Sequence, residues 1–270
     1  MNYQTYQPHA DLSALVKFYW TLEVPYDPNN QKQKIIPDGC IEMTFNFKDD
    51  IKRYVSEKDF IIHPNSMIMG QRTKSYFIEP TGDVDSFAIC FYPYGFANFV
   101  CVSLESLVDI EVPIERLFGD ETAKSLKQKI FEASSTLKRI EIIETFLLDR
   151  LHQSTTIENL VKTTVDTLLA TNGSTSIHQI LKDDLSKRRQ LERNFRKQIG
   201  ISPKQLGKVL RLQTALKMLL NEEKNLTNIA YESEYFDQAH FIKDFKEFIG
   251  TTPKDFLGNE HMALSTLFYK

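Results

Sequence analysis

One segment of the chain occurs twice, and this duplication constrains the fold more than any other feature of the sequence. The segment Leu191–Leu206 aligns with Phe241–Phe256, fifty residues later, with five identical pairs in sixteen positions. These pairs are Phe195/Phe245, Ile199/Ile249, Gly200/Gly250, Pro203/Pro253 and Lys204/Lys254. An internal match at a fixed period indicates one structural unit that is used twice.

Each copy is predicted to be an amphipathic helix with a basic outer face. Leu191, Phe195 and Ile199 recur every four residues, which places them on one face of a helix. The second copy has its own apolar face, made of Phe241, Phe245, Phe248 and Ile249. The opposite faces carry mainly Arg and Lys: Arg189, Arg193, Arg196 and Lys197 in the first copy, Lys243 and Lys246 in the second.

Both helices are predicted to end and restart in the same way. Gly200 and Gly250 are typical of a left-handed cap at the end of a helix. Ser202-Pro203 and Thr252-Pro253 have the pattern of an N-cap followed by proline at the first helical position. A single charged helix face usually indicates only a solvated surface. Two basic helices with matching ends favour a shared function.

Positive charge is concentrated around the duplicated segment. The whole chain has a net charge of −3, yet residues 174–257 contain 15 Lys and Arg against 11 Asp and Glu, a net of +4 that leaves −7 elsewhere. Within Lys187–Arg211 there are nine basic residues and one acidic residue, Glu192. The overall charge excludes a wholly basic nucleic-acid coat, whereas the local cluster predicts a phosphate-binding surface.

The cysteine content and hydropathy of the chain indicate a reducing, aqueous compartment. Cys40, Cys90 and Cys101 are too few and too scattered for a disulfide framework or a zinc site, and we predict that they are small buried hydrophobes. The first residues lack the charged start and apolar run of a signal peptide, and no stretch approaches the roughly 20 apolar residues of a membrane span. We therefore expect a cytoplasmic protein without membrane contact.

Residues 1 to about 118 are predicted to form a β domain. Ile41, Met43, Phe45 and Phe47 alternate with polar residues, which is the period of a strand with two different faces. Turn-forming clusters containing Pro and Gly separate further short strand candidates at 60–62, 66–70, 76–78 and 87–92. Many short strands at close intervals predict a sandwich or a cupin-like barrel, which can hold one small ligand.

The β domain lacks the residue pattern of a metalloenzyme of the cupin type. Such an enzyme needs two or three His and a carboxylate around one metal, and the only histidines before residue 150 are His9 and His63. No phosphate loop, nucleophile elbow or zincin motif occurs in the sequence. We therefore predict no enzymatic activity, no catalytic residues, no metal and no cofactor.

Three polar residues of the β domain are candidates for ligand binding. Glu42 and Asn46 share one face of the predicted strand 41–47, and Arg72 lies in a short polar run, Gln71-Arg72-Thr73. If this strand face turns inward, these side chains can orient a small molecule. If it turns outward, it meets water, as one side of an antiparallel sheet often does. The sequence leaves both alternatives open.

Residues 120–153 are predicted to be helical and to connect the two halves of the chain. Leu137, Ile140, Glu144, Leu147 and Leu151 follow a 3-4-3-4 spacing. This stripe is either a seam of a homodimer or a face that packs on the β domain, because two heptads do not establish a coiled coil.

The remaining residues are predicted to form two helix-turn-helix units. Short helices beginning near Ile177 and Leu226 each lead into one of the basic helices, which is the order of such a unit. A longer helix, Pro203 to Asn221, joins the two units and would span about 28 Å at 1.5 Å per residue. We predict three regions: 1–153, a β-rich domain with connector helices; 154–258, an all-α domain; and 259–270, a tail.

Residues 155–257 resemble the DNA-binding domain of the AraC/XylS family of bacterial transcription regulators. The resemblance is most specific in Ile229–Glu232, Tyr235–Phe241, Phe245-Lys246 and Gly250–Pro253. Residues 1–150 resemble, less closely, sensor-like domains that precede this module, through Pro37–Glu42, Gly70-Gln71 and Phe87–Pro93. Two turns depart from the family pattern: Glu234 replaces a usual glycine, and Lys182–Ser186 contains no glycine.

The resemblance implies which residues contact DNA. The base-reading positions fall on Arg189, Glu192 and Arg193 in the first basic helix and on Gln238, Ala239, His240 and Lys243 in the second. Arg can bond guanine O6 and N7 together, and Glu can accept from cytosine N4. Phosphate contacts are assigned to six further residues: Lys187, Arg188, Arg196, Lys204, Lys246 and Lys254.

These observations predict a sequence-specific transcription regulator that binds an operator in double-stranded DNA. Its further expected partners are a small-molecule effector, a second copy of the chain and, if it activates, RNA polymerase. Two alternatives stay open for residues 1–150: a module that binds a protein partner, or an enzyme that the DNA-binding half directs to DNA.

Overall fold

Two antiparallel sheets and a series of helices make up residues 1–28, 32–151, 157–182, 184–221 and 225–257, the parts of the chain that this computed structural model describes. The strands are β1 (Asn2–Tyr6), β2 (Val16–Val24), β3 (Gln33–Ile35), β4 (Ile41–Asn46), β5 (Ile51–Tyr54), β6 (Phe60–Ile62), β7 (Ser66–Met69), β8 (Tyr76–Pro80), β9 (Val84–Phe91) and β10 (Glu111–Pro113). One sheet has the order β1-β2-β9-β4-β7-β10, and the other has the order β3-β8-β5-β6.

The helices come after the strands in the chain. Their bounds are α1 (Glu115–Phe118), α2 (Asp120–Glu132), α3 (Thr136–Leu151), α4 (Asn159–Ala170), α5 (Ile177–Ile180), α6 (Arg188–Ile199), α7 (Pro203–Asn221), α8 (Leu226–Glu232), α9 (Gln238–Ile249) and α10 (Pro253–Leu257). The predicted fold class, a β-rich domain followed by an all-α domain with two helix-turn-helix units and a long joining helix, is confirmed. The predicted boundary at 153/154 and the predicted tail, 259–270, lie outside the described residues.

The two faces of β4 have different surroundings. Met43 and Phe45 are buried in the core that β4 and β9 form with α2 and α3. Glu42, Thr44 and Asn46 point the other way, into the space between the two sheets, which Ile35 and Ile78 of the second sheet also line. The polar face of β4 therefore turns inward, and the alternative in which it meets water is wrong.

The connector helix α3 packs on its own β domain. Ile140, Ile143 and Leu147 are buried in the same core as the strands, and Glu144 Oε1 accepts hydrogen bonds from the His9 backbone N–H at 2.7 Å and the Tyr19 hydroxyl at 3.1 Å. Most apolar residues of this stripe therefore pack against the β domain of the same chain. Leu137, at its beginning, is 70 % exposed, and a dimer seam stays a prediction.

The duplication in the sequence corresponds to two equivalent groups of helices. The first group is α4, α5 and α6, and the second is α7, α8 and α9. The long helix α7 belongs to both groups, because Leu206 lies in the core around α4 and α6 whereas Leu212 and Leu216 lie in the core around α8 and α9. A single 19-residue helix therefore joins the two basic helices.

Both turns that lack the family's glycine contain a residue in the left-handed conformation. Glu234, between α8 and α9, has φ of 62°, and Lys182, after α5, has φ of 48°. Residues other than glycine are strained there, because Cβ approaches the following carbonyl oxygen. The prediction that the second turn must accommodate a side chain is confirmed.

We predict that Glu234→Gly raises the free energy of unfolding by about 1 kcal/mol, because glycine relieves a left-handed strain of that order. Urea unfolding followed by far-ultraviolet circular dichroism measures the change. The matched control is Glu232→Gly, two residues earlier at the end of α8, where glycine should instead lower stability by roughly 0.5–1 kcal/mol. A destabilising effect of Glu234→Gly would contradict this account of the turn.

Candidate nucleic-acid interface

Helix α6 lies with its apolar face in a core and its basic face in solvent. Leu191, Phe195 and Ile199 are fully buried against α4 and the beginning of α7. The exposed residues of the helix include all of its cations: Arg188, Arg189, Arg193, Arg196 and Lys197. Arg189 and Arg193 are one turn apart, with the half-buried Glu192 beside them. The three predicted base-reading residues thus share one surface.

Helix α9 repeats this arrangement with fewer charges. Phe241, Phe245 and Ile249 are fully buried, and the exposed face carries Ala239, Lys243 and Lys246. Gln238 is half-buried, and its Oε1 accepts a hydrogen bond from the Thr227 hydroxyl at 2.8 Å, which ties the beginning of α9 to α8. Ala239 and Lys243 share the outer surface that the sequence predicts for reading bases.

His240 is half-buried, as Glu192 and Gln238 are among the predicted base-reading residues. Its Nε2 lies 3.6 Å from Asp244 Oδ2, and its ring packs edge-on against Tyr235 with 5.2 Å between ring centroids. Its backbone N–H donates to the Asp237 carboxylate that caps α9. The side chain therefore takes part in packing the second unit, and its contact with bases stays a prediction.

The six residues predicted to bind phosphate are all exposed. Two of them form ion pairs: Lys187 Nζ lies 2.9 Å from Asp184 Oδ2, and Arg196 Nη1 lies 3.4 Å from Glu105 Oε1. Lys204 and Lys254 each follow the proline that begins α7 or α10. Glu105 belongs to the β-rich domain, so Arg196, a predicted phosphate contact, forms an ion pair with a residue of the first half of the chain.

An exposed aromatic residue next to α9 was missed by the sequence reasoning. Phe236 precedes the N-cap Asp237 and is 85 % exposed. An apolar residue at this position usually packs against the fourth residue of the helix, here Phe241, but Phe241 is fully buried elsewhere. The apolar residue before the N-cap could have been noticed in the sequence, but only the structure shows that the Phe236 ring faces solvent beside the predicted base-reading surface of α9.

The C-terminal ends of both basic helices are held by the first domain. At the end of α9, the Ser75 backbone N–H donates to the Phe248 carbonyl oxygen at 2.7 Å, and Lys34 Nζ donates to the Ile249 carbonyl oxygen at 2.8 Å. Beyond α6, Gly200 lies so close to Leu104 that a Cβ would be 3.1 Å from its carbonyl oxygen. The last carbonyls of a helix lack partners within it, and here residues of the first domain supply them for α9.

A turn of the first domain, Pro37–Cys40, contacts α7 directly. Gln213 Nε2 donates to the Pro37 carbonyl oxygen, and Gln71 Nε2 donates to the Gly39 carbonyl oxygen at 2.8 Å. Gly39 has φ of 80°, and a Cβ there would be 3.2 Å from Leu206 Cδ1. The turn therefore favours glycine for its left-handed conformation, and a side chain there would also press on Leu206.

A cavity of about 440 Å³ lies between this turn, the sheets and α7. Glu42, Arg72 and Trp20 line it from the first domain, and Leu210, Gln213 and Lys217 line it from α7. A smaller cavity of about 130 Å³ between the two sheets also reaches Glu42 and contains Asn46. The candidate ligand residues thus face interior space, and the larger space is shared by both halves of the chain.

The polar groups of these cavities differ in how well they are partnered. Glu42 Oε1 accepts from Trp20 Nε1 at 3.0 Å, and burial, with a contribution from Asp38, raises the pKa of Glu42 to about 8. Arg72 is bonded to Glu111, but its Nε and Nη1 have no hydrogen-bond partner among the described residues. Asn46 Oδ1 already accepts from the Ser86 hydroxyl at 2.8 Å. Ligand binding by these residues stays a prediction.

The cysteines are distributed differently from the sequence prediction. Cys40 and Cys90 are buried, as predicted, but Cys101 is exposed. Cys40 and Cys90 lie next to each other and to Asp38, so the interpretation that the cysteines are too scattered to share a site is wrong for this pair. They meet because β4 and β9 are neighbours in the sheet, a pairing that distance along the chain does not reveal.

Buried polar residues fix α6 and α9 to the helices behind them. Asn194 of α6 donates from Nδ2 to the Glu158 carboxylate at 2.6 Å. The equivalent residue of α9 is Asp244, which is 2 % exposed and accepts from Lys208 of α7 at 3.0 Å. The ion pair between Lys208 and Asp244 therefore secures the second basic helix to the joining helix.

We predict that Lys208→Ala lowers the free energy of unfolding by about 3 kcal/mol, because it leaves the buried Asp244 carboxylate without its main partner. Adding Asp244→Asn, the residue type found at the equivalent position 194, should restore part of the loss. The control is Lys162→Ala, whose pair with Asp166 is exposed and should contribute no more than about 1 kcal/mol. Equal effects of the two lysine variants in urea unfolding would contradict this role of Lys208.

No helix within the described ranges is long and apolar enough to cross a membrane.

Comparison with known proteins gives matches in both halves of the chain. Residues 186–259 match a helix-turn-helix domain family, and residues 4–113 match a domain of unknown function, DUF6597. A stretch of 68 residues is 34 % identical to the HTH-type transcriptional regulator ArgR of Pseudomonas aeruginosa. This stretch covers 25 % of the chain and 21 % of that protein, so the chain aligns with about a fifth of the relative's length.

Two solved structures illustrate the structural likeness. ToxT from Vibrio cholerae aligns with a TM-score of 0.48 and 12 % identity, over 91 % of this chain and 99 % of that chain. The C-terminal domain of AraT, a response regulator from Geobacillus stearothermophilus, aligns with a TM-score of 0.35 and 20 % identity, over 38 % of this chain and 86 % of that chain.

The resemblance seen in the sequence is confirmed by the match over residues 186–259 and agrees with the duplicated arrangement of helices. Residues 186–259 therefore form a helix-turn-helix domain, similar to that of the AraC/XylS regulators, and a β-rich DUF6597 domain precedes it at residues 4–113.

Proposed function

We propose that this chain is a transcription regulator that binds DNA in a sequence-specific manner, reads two successive major grooves with α6 and α9, and responds to a small molecule bound in its first domain. The two base-reading surfaces are the one around Arg189, Glu192 and Arg193 and the one around Gln238, Ala239, His240 and Lys243. The observation that carries the proposal is that two equivalent basic helices are fixed to one joining helix, α7.

The length of α7 supports reading from one side of the duplex. Its 19 residues span about 28 Å at 1.5 Å per residue. Successive major grooves on one side of DNA are roughly 34 Å apart. A joining helix of this length can place α6 and α9 in neighbouring grooves without a change of fold.

The orientation of α6 and α9 supports the same conclusion. Their C-terminal ends lie against the first domain, through Gly200 at one helix and Lys34 and Ser75 at the other. The predicted base-reading residues occupy the first two turns of each helix, away from this contact. In helix-turn-helix proteins the N-terminal part of the recognition helix contacts the bases.

A small-molecule effector is supported by a cavity whose walls also contact the DNA-binding half. Ile35 and Tyr76 line the cavity, while their chain neighbours Lys34 and Ser75 bond the end of α9. A ligand that changes the position of β3 or β8 therefore changes the support of α9. The volume of about 440 Å³ lies within the range of small-molecule sites, and this favours a sensor over a module that binds only a protein partner.

The remaining features of the proposal follow from this mode of action. The protein acts by binding and not by catalysis, since regulators of this family control transcription through DNA contact. It works in the cytoplasm with the DNA, and RNA polymerase is its partner if it activates. A homodimer would pair two such readers, and the exposed Leu137 at the beginning of α3 is one candidate contact between the two copies.

We predict that Arg193→Ala weakens binding to a site selected from random DNA by the full-length protein about 5- to 150-fold, equivalent to 1–3 kcal/mol, and relaxes the preference at one base pair. The reason is the loss of a guanidinium that can bond two acceptors of one guanine. Affinities for the selected site and for its single-base variants, measured at one salt concentration, give both quantities.

The matched control is Lys197→Ala, which removes another exposed cation from α6 but none of the predicted base or phosphate contacts. This variant should keep the base preferences of the unaltered protein. Arg193→Ala with unchanged affinity and unchanged base preferences would show that α6 presents a different surface to DNA.

A further inference from the structure

Three potential metal ligands come together where the first domain contacts α7. The donor atoms of Asp38, Cys40 and Cys90 all lie within 4.8 Å of one another. Both cysteines are buried, both thiols are free, and Cys40 and Asp38 line the cavity between the two halves of the chain. Neither the predicted DNA contacts nor the candidate ligand residues account for this cluster.

The sheet and one turn bring the three residues together. Cys90 of β9 is directly opposite Glu42 of β4, and Cys40 precedes Glu42 by two residues, so both cysteines are on the same face. Asp38 is folded back onto Cys40 by the turn, and its Oδ1 accepts from the Cys40 backbone N–H at 2.9 Å. The left-handed conformation of Gly39 makes this return possible. The cluster is therefore built by regular structure.

The spacing fits a shared metal ion better than a disulfide. Zinc lies about 2.3 Å from a thiolate sulfur and about 2.0–2.2 Å from a carboxylate oxygen, so donors on one ion are roughly 3.5–4.5 Å apart. By contrast, diagonal neighbours in an antiparallel sheet have Cα atoms about 7–8 Å apart. Disulfides require about 4.4–6.8 Å between Cα atoms, which is shorter than this diagonal spacing, so regular sheet geometry favours a shared ion over a disulfide.

The charges around the cluster indicate the class of ion. Two thiolates and one carboxylate carry three negative charges, and Lys17 Nζ lies 3.8 Å from Cys40 Sγ. A divalent ion together with this ammonium group brings the total to zero, whereas a monovalent ion leaves a buried negative charge. Thiolates suit zinc-like ions, whereas Mg²⁺ and Ca²⁺ prefer oxygen ligands only.

We propose that Asp38, Cys40 and Cys90 form a binding site for one thiophilic divalent cation, with Zn²⁺ as the representative ion. Three protein ligands leave a fourth position, which faces the cavity and is available to water or to a small ligand. This is the ligand number of zinc sites that keep an open position.

The site is placed to influence the DNA-binding half, a consequence that rests on the proposed function. Asp38 and Cys40 flank Gly39, which packs on Leu206 of α7, and Gln213 of α7 bonds Pro37. A metal that binds the Asp38 carboxylate fixes the side chain whose Oδ1 accepts the Cys40 backbone N–H. Metal binding therefore acts on the turn against which α7 rests.

The direct test is titration of reduced, metal-free, full-length protein with Co²⁺ in the absence of DNA. The expected result is one bound Co²⁺ per chain with the visible absorption of a thiolate-ligated ion, which one equivalent of Zn²⁺ displaces. Cys40→Ser and Cys90→Ser should each abolish this absorption and weaken Zn²⁺ binding by roughly 100-fold or more. Loss of a residue that only supports a metal ligand already lowers metal affinity by about 10- to 100-fold, and loss of the ligand itself should cost at least as much. Cys101→Ser, which alters the exposed cysteine, is the matched control and should bind as the unaltered protein does.

The proposed site would be wrong if metal binding persisted in Cys40→Ser and Cys90→Ser or disappeared in Cys101→Ser. It would also be wrong if the protein with three reduced thiols bound no stoichiometric metal. If a serine variant does not fold, alkylation of the unaltered protein gives the answer. Zn²⁺ should slow alkylation of Cys40, which lines the cavity, and leave the rate at Cys101 unchanged. Equal rates at Cys40 with and without Zn²⁺ would overturn the proposal.

The coupling to DNA is measured separately. Zn²⁺ should change the affinity for the selected DNA site by about fivefold or more, the lower end of typical coupling between two sites. If Zn²⁺ binds without changing the affinity for DNA, the metal site is supported but its effect on DNA binding is contradicted. A protein that binds Zn²⁺ but selects no DNA site would instead contradict the proposed function alone.

Discussion

The arrangement of the two basic helices depends on contacts at their C-terminal ends and along α7. The last carbonyls of a helix need donors from outside it, and for α9 these are the Lys34 ammonium and the Ser75 backbone N–H. Lys34 is itself buried, and burial lowers its pKa, so its bond to Ile249 compensates a desolvated charge. The direction in which α9 points is therefore a property of both domains together.

The same contacts explain how an internal cavity can matter for a DNA-binding surface. Alternation along a strand turns Gln33 and Ile35 toward the space between the two sheets and Lys34 toward α9, and Ile35 also lines the larger cavity that α7 shares. The turn Pro37–Cys40 continues this path to α7. A ligand or ion can change the equilibrium of such a system only if it binds the two arrangements with different affinity. The shared walls of the cavity provide a structural reason for such a difference.

Local sequence signals predicted the DNA-binding half well. Helix ends marked by Gly200, Gly250, Pro203 and Pro253 are decided by residues within one turn, so α6, α7 and α9 could be placed from the chain alone. The left-handed Glu234 could also be foreseen, because the family's usual glycine is absent at that position.

Features that depend on distant residues were not predicted. The strand β2 (Val16–Val24) was missed because its burial does not alternate regularly, and β3, β5 and β10 are too short to be recognised without their partners. The meeting of Cys40 with Cys90 and the bond of Lys34 to Ile249 join residues 50 and 215 positions apart. Such contacts follow from strand pairing and domain docking, for which a single sequence has no local signal.

From these contacts we infer that α7 and the first domain hold α6 and α9 at one fixed separation. The most direct measurement is the affinity of the full-length protein for DNA duplexes in which the two half-sites are moved apart one base pair at a time. We expect one sharp optimum near one helical turn, about 10 base pairs between centres, with at least roughly tenfold weaker binding two base pairs away. Affinity that does not depend on the spacing would show that the two helices reach DNA independently and would contradict the account.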